Sequence, residues 1–243
     1  MSVSAHRIKN LPSIDGPIIS FSDGSIEFLK WLAFAAMIAD HINVYLFDKD
    51  FPILFELGRL AMPIFAIVLG YNLARPGIYQ NNAYWRVIRR LFLTGIVSVP
   101  IILALRDNIG LTDMLPLNIM FMLLVATLFC FLWEGGESRD LILAGLLIGS
   151  SGFFVEYYWP GIVLCVSIWA YFRYGNWFTL LSLALPSLGL ICLLNGNLWA
   201  LVAIPIFILA SQIVIKFPRF QHVFYYLYPL HLGLIYLIQI TAV

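Results

Sequence analysis

Charge is scarce in this chain. Of its 243 residues only 11% are charged, 14 Lys and Arg against 13 Asp and Glu, while 62% are hydrophobic. Soluble domains carry about 25% charged and about 45–50% apolar residues, so too little polar surface exists here to cover a water-soluble globule. A formal net charge of +1 offers no basic excess of the kind that binds nucleic acid. Cysteine is scarce too. Cys130, Cys165 and Cys192 are odd in number, share no short spacing and sit in apolar runs. That excludes a disulfide frame or zinc site and reads as small buried hydrophobes. Also missing are GxSxG, HExxH, CxxC, P-loop and GxGxxG motifs, so no metal is expected and those enzyme chemistries lack support. No cleavable signal peptide, internal repeat or long linker is apparent. The first 28 residues are mostly polar, with Pro12, Gly16, Pro17 and Gly24 interrupting any apolar stretch.

What the chain does have is long apolar runs. A helix needs about 20 such residues to cross a bilayer core. On that measure nine spans are expected, at 29–47, 56–74, 91–105, 115–133, 141–154, 159–172, 178–194, 198–215 and 223–243. The fifth and sixth are short; as one re-entrant pair they would leave about seven. The expectation is an all-α, polytopic integral membrane helix bundle. Residues 1–28 read as a cytoplasmic arm and 29–243 as a single transmembrane domain. With the N-terminus inside, eleven Lys and Arg residues lie on the cytoplasmic side and only Lys49, Arg59 and Arg106 outside. The segment 84–90 reads as a short interfacial helix, with Asn81 and Asn82 offering N-caps.

An ionisable side chain in hydrocarbon costs about 2.5–3.5 kcal/mol on insertion scales, so each one needs a reason. Four regions qualify. The first is Asp40-His41-Ile42-Asn43 in span one. Adjacent helical residues diverge, so Asp40 and His41 do not pair with each other, whereas Asp40 and Asn43 share a face. The second is span two, where Arg59 lies near the depth of His41, and Asn72 and Arg75 point together at the cytoplasmic mouth. Arg59 also fits a snorkelling interfacial arginine. The third is Arg86, Arg89 and Arg90, one cationic face beside Arg75. It suits lipid headgroups, and equally the phosphates of a polyanion such as coenzyme A. The fourth is His231, with Pro229 freeing the carbonyl of Tyr225 as a partner. Asn118 and Glu156 are further polar candidates.

Three blocks of sequence carry a family resemblance: Met37-Ile38-Ala39-Asp40-His41-Ile42-Asn43, Gly58-Arg59-Leu60-Ala61-Met62-Pro63-Ile64-Phe65-Ala66, and Gly70-Tyr71-Asn72-Leu73-Ala74-Arg75. In wording and order they resemble the TraX family, typified by an F-plasmid protein that N-acetylates the pilin subunit. Arg90-Leu91, Pro100, Asn118-Ile119-Met120-Phe121, Gly161 and Tyr228-Pro229-Leu230-His231-Leu232 extend it. Glu156 stands where such proteins commonly carry aspartate, and Met62 where they carry phenylalanine. The family looks distantly like the wider transmembrane acyltransferases.

The resemblance implies a bacterial inner-membrane, multi-pass acetyltransferase that uses acetyl-CoA. Asn72, Arg75, Arg86, Arg89 and Arg90 would hold the donor. His41 would take the amine's proton, with Asp40 beside it, and Arg59 or His231 would face the oxyanion. The acceptor implied is the N-terminus of a pilin-like membrane protein. Two rivals stay open: an O-acetyltransferase of a surface or lipid-linked glycan, and a non-catalytic transporter or assembly factor using Asp40 and His41 as a relay.

Overall fold

The computed structural model describes residues 19–111, 113–220 and 222–241. Among these the secondary structure is helical, with no strand and one isolated bridge between Leu117 and Val155. Helix α1 (Asp23–Leu46) starts where Ser22 caps it. The Ser22 hydroxyl accepts from the Ser25 N–H at 3.0 Å, and Asp23 places negative charge at the positive end of the helix dipole. This start lies inside the stretch read as an N-terminal arm; the arm's first 18 residues, with Arg7 and Lys9, lie outside the described residues.

The second apolar run divides in two. Helices α2 (Pro52–Gly58) and α3 (Ala61–Leu73) are separated by a turn at Arg59 and Leu60. Pro63 is the cause: it has no N–H for the carbonyl of Arg59, four residues back, and its ring crowds that carbonyl. The uninterrupted helix expected over 56–74 is therefore broken at its arginine. Helix α4 (Ala83–Asn108), by contrast, is continuous over 26 residues, or about 39 Å. Residues 84–90 are its first turns and not a separate interfacial helix. Asn82 holds its N-cap position in left-handed backbone, φ 51°, and makes no side-chain cap hydrogen bond.

Next come α5 (Ile119–Gly135), α6 (Ser138–Ser151) and α7 (Tyr158–Tyr174). Helix α8 (Leu185–Asn195) is entered through a π-helical turn at Leu180–Ala184, and α9 (Ala203–Gln212) through a 3-10 turn at Trp199–Val202. Helix α10 (Val223–Thr241) closes the order. Among the described residues three stretches are long and apolar enough to cross a membrane, Pro52–Leu73, Ala83–Asn108 and Val223–Thr241, where nine were expected. Shorter apolar stretches follow at Ile119–Gly135, Leu180–Asn195 and Trp199–Gln212. Helix α6, with 14 residues, reaches only about 21 Å.

Helix α3 sits at the centre, packed on α7, α1 and α5. Gly70 sets its distance from α7, because a Cβ there would stand 2.8 Å from both the Trp169 backbone nitrogen and Ile168 Cγ2. Gly58 does the same for α2 on α1: a Cβ would lie 2.4 Å from Asp40 Cβ. Helix α10 lies against α1 and α4. Pro229 leaves the Tyr225 carbonyl without its helical donor, and Thr94 Oγ1 of α4 supplies one at 3.3 Å. At its far end Gln239 donates to the Tyr45 carbonyl at 3.2 Å and accepts from Asn108 at 3.0 Å.

Gly70→Ala is expected to destabilise the protein by about 1–3 kcal/mol, since a rigid backbone neighbour must shift. Gly145→Ala, where nothing lies within 4 Å, should leave stability equal or slightly higher. Thermal unfolding of both purified variants checks this; equal melting points would show that the α3–α7 approach is not close.

Candidate functional site

Two helices bring together histidines that are 190 residues apart. His41 Nδ1 of α1 lies 2.9 Å from His231 Nε2 of α10, with the rings parallel to within 2°. The other nitrogen of His231, Nδ1, lies 3.0 Å from the Leu227 carbonyl. A carbonyl only accepts, so His231 Nδ1 carries the hydrogen. In the neutral ring Nε2 is then an acceptor, and His41 Nδ1 must donate to it. The free lone pair of the pair is therefore His41 Nε2. The partner of His231 is the Leu227 carbonyl, not the expected Tyr225 carbonyl, which Thr94 already occupies. His231 is buried and His41 half-buried.

Asp40, one residue earlier, faces the break between α2 and α3. Arg59 Nη2 donates to Asp40 Oδ2 at 2.5 Å, Nη1 to Asn195 Oδ1 at 3.3 Å, and Nε to the Phe55 carbonyl at 3.2 Å. The guanidinium also stands 4.2 Å from the Phe55 ring centre. Arg59 and Asp40 are 12% and 18% exposed, so their charges meet each other and not solvent. Arg59 is thus an enclosed ion-pair partner and not a snorkelling arginine.

The other polar candidates divide. Glu156, in the connection from α6 to α7, is half-buried, and its backbone N–H donates to the Leu117 carbonyl at 2.9 Å. Asn118 caps α5, accepting from the Met120 N–H and donating to the Gly95 carbonyl, each at 3.1 Å. Asn43 accepts from the Phe51 N–H at 3.0 Å and stitches the α1–α2 turn. Neither asparagine is brought to the histidines. Sequence reasoning missed the rings around the pair: Tyr45 is 6.0 Å from His41, and Tyr228 is 5.5 Å from His231, centre to centre. It missed Arg106 as well, which ties the Asp113 and Pro116 carbonyls. A signal existed, because Arg106 is one of only three basic residues on its expected side.

Lys30 precedes His41 by eleven residues, about 16 Å along α1. Around it opens a cavity of about 570 Å³, within the range of ligand pockets. Asn72, Arg75, Arg86 and Arg90 line it as expected, but Arg89 does not. Helical periodicity explains the exclusion: the cavity face of α4 is Ala83, Arg86, Val87, Arg90 and Leu91, and Arg89, about 100° short of Arg90, points to solvent. Lys30, Arg219 and His222 join the lining unforeseen, with Asp23 and Glu27 among them. Arg75 Nη2 donates to Asp23 at 2.6 Å. That hydrogen bond, and then the charge of Arg75, hold the Asp23 carboxyl below the usual carboxylate range, so it stays ionised in mild acid. The inner walls are apolar, including Phe65, Met120 and Leu123. Phe224 also lines the cavity and meets Phe34, which in turn meets His231 edge-on at 5.3 Å. Two rings thus separate cavity from histidines.

Apolar helices enclosing paired histidines, a paired carboxylate and a cation-lined cavity define a helical bundle whose polar chemistry is internal. The chain belongs to the TraX family: the family described as TraX protein matches residues 25–239. It is 27% identical over 170 residues to an uncharacterised protein of Rickettsia prowazekii (strain Madrid E), covering 64% of this chain and 66% of that one. It is 36% identical over 78 residues to the protein TraX of Escherichia coli, covering 32% of this chain and 29% of that one. The chain therefore spans just under two thirds of the first relative and under a third of the second. No solved structure matches it.

Asp40→Ala should cost about 3–5 kcal/mol, because it strands the Arg59 charge inside the protein. Adding Arg59→Met to that chain should restore part of the loss. Chemical denaturation of the single and double variants decides the matter: a double variant no more stable than Asp40→Ala would mean the two charges are not coupled.

Proposed function

We propose that this chain is a multi-pass acetyltransferase of a bacterial inner membrane, moving an acetyl group from acetyl-CoA to an amine. The acceptor in this reading is the N-terminus of a pilin-like membrane protein. The observation that carries it is the His41–His231 pair, whose tautomers leave one imidazole nitrogen free beside an enclosed ion pair. The proposal places the N-terminus and the cationic cavity on the cytoplasmic side, with a single transmembrane domain following residue 28. Support comes from large exposed apolar side chains such as Ile142 and Leu146, each 64% exposed, and Leu193, 77% exposed, which suit lipid contact.

In this mechanism the acceptor nitrogen attacks the thioester carbonyl carbon while His41 Nε2 takes its proton. The C–S bond breaks and the imidazolium returns the proton to the leaving thiolate. His231 Nε2, accepting from His41 Nδ1, holds the ring's orientation and stabilises the imidazolium. His231 itself has no N–H left for an oxyanion, since one nitrogen serves Leu227 and the other His41. That role falls to Arg59, whose guanidinium uses three of its five N–H groups on Phe55, Asn195 and Asp40. The cavity fits the donor chemically, with cations at one end for phosphates and apolar walls toward the histidines. A proton passed from His41 to His231 would stop there, because His231 Nδ1–H is held by the Leu227 carbonyl.

The test is transfer and hydrolysis of radiolabelled acetyl-CoA by the purified protein. His41→Ala should lose turnover by at least about a hundredfold. His231→Ala should lower kcat and leave the KM for acetyl-CoA unchanged. Full transfer by His41→Ala would sink the mechanism, and absence of turnover in folded wild type would sink the activity.

A further inference from the structure

The segment between α9 and α10 runs without helix from Ile213 to Phe220. Its backbone is pinned across the first turns of α1. Ser25 Oγ donates to the Ile213 carbonyl at 2.7 Å, and the Phe220 N–H donates to Glu27 Oε1 at 3.2 Å. The approach requires glycine beneath it, since a Cβ on Gly24 would sit 1.9 Å from the Ile215 carbonyl oxygen and 2.8 Å from the Phe217 nitrogen. Phe220 rests on Trp31. At the strap's far end His222 Nε2 meets Arg90 Nη2 of α4 at 3.4 Å. The strap therefore joins two walls of the cavity, α1 and α4, and puts Arg219 and His222 into its lining.

Five cations, Lys30, Arg75, Arg86, Arg90 and Arg219, face this cavity, against the carboxylates of Asp23 and Glu27. Lys30 is committed to Glu27 and Arg75 to Asp23. Arg86 and Arg90 are not hydrogen-bonded to a carboxylate; they meet the Asn81 carbonyl and the His222 ring. Arg219 comes from a different element from the others, so its charge converges on theirs from across the opening.

We propose that the strap completes a phosphate-binding site: Arg219 binds ligand phosphates together with Arg86 and Arg90, and Asp23 competes with the ligand for Arg75. The proposal rests on the acetyltransferase reading only in naming coenzyme A as the source of those phosphates. Asp23 holds the Arg75 guanidinium as a ligand anion would, in a cavity that Lys30 and Arg219 also line. Its removal frees Arg75 and raises the local positive potential. The two acts pull in opposite directions, which separates ligand binding from damage to the fold.

The experiment is equilibrium titration of the full chain in phosphatidylcholine nanodiscs with two probes, coenzyme A and inorganic pyrophosphate. Arg219→Ala should weaken both about tenfold, the size of a lost charge-assisted hydrogen bond. Asp23→Asn should tighten both about threefold, a gain that a misfolded variant cannot give. If wild type binds coenzyme A and neither substitution changes its Kd, the strap proposal falls while the donor reading stands. If pyrophosphate shows the pattern and coenzyme A does not bind, the strap stands and the donor reading falls. Discs containing phosphatidylglycerol that abolish binding of both probes would assign the cations to lipid headgroups and overturn the proposal, as would failure of both probes to bind the wild-type chain.

Discussion

Asp40 and Arg59 hold each other inside the bundle, and the placement of His41 follows from that hold. A buried charge is tolerated only beside its counter-charge, so Asp40 must face the turn where Pro63 breaks the second apolar run. Successive helical residues turn by about 100°. With Asp40 fixed toward Arg59, His41 is carried round toward α10, where His231 waits. Gly58 makes the approach possible, since any side chain there would collide with Asp40. One proline, one glycine and one ion pair thus set the direction of a histidine on a neighbouring face.

Helix α10 completes the arrangement from the other side. Its own proline releases a carbonyl that Thr94 ties to α4, and Gln239 fastens its far end to Tyr45. Between these two anchors His231 is held at a fixed height against His41. The same α1 carries the lysine and acids of the cation-lined cavity, Lys30, Glu27 and Asp23, about 16–27 Å further along its axis. A single helix therefore relates the two polar regions, and Phe34 and Phe224 stand between them. In the proposed reaction this partition keeps the donor's phosphates apart from the proton-transfer chemistry.

Local features were legible in the sequence; pairings across the fold were less so. The divergence of Asp40 from His41 follows from helical periodicity, and so does the grouping of Arg86 with Arg90. Periodicity should also have excluded Arg89, but without the direction of the cavity all three arginines looked equivalent. Pro63 was visible, yet hydropathy alone ran one helix through it, because hydropathy does not register a missing N–H. The His41–His231 contact spans 190 residues and no local pattern announces it. Arg219 and His222 lie in a stretch with neither apolar period nor motif, so their place in the cavity depends on how the strap folds back. Asn43 and Asn118 stood among the polar candidates, and in the fold each accepts a backbone N–H, one in a turn and one at a helix cap. Asparagine suits either use, and only the neighbouring backbone decides.

In the proposed site His231 fixes the tautomer of His41 and leaves Nε2 free. Nitrogen-15 magnetic resonance of histidine-labelled protein in lipid, assigned by comparison with the His41→Ala and His231→Ala variants, measures this directly. The expected result is hydrogen on Nδ1 and a bare Nε2 for both rings at neutral pH, with His41 losing that preference when His231 is replaced. A His41 ring carrying its hydrogen on Nε2 in the wild-type protein would contradict it.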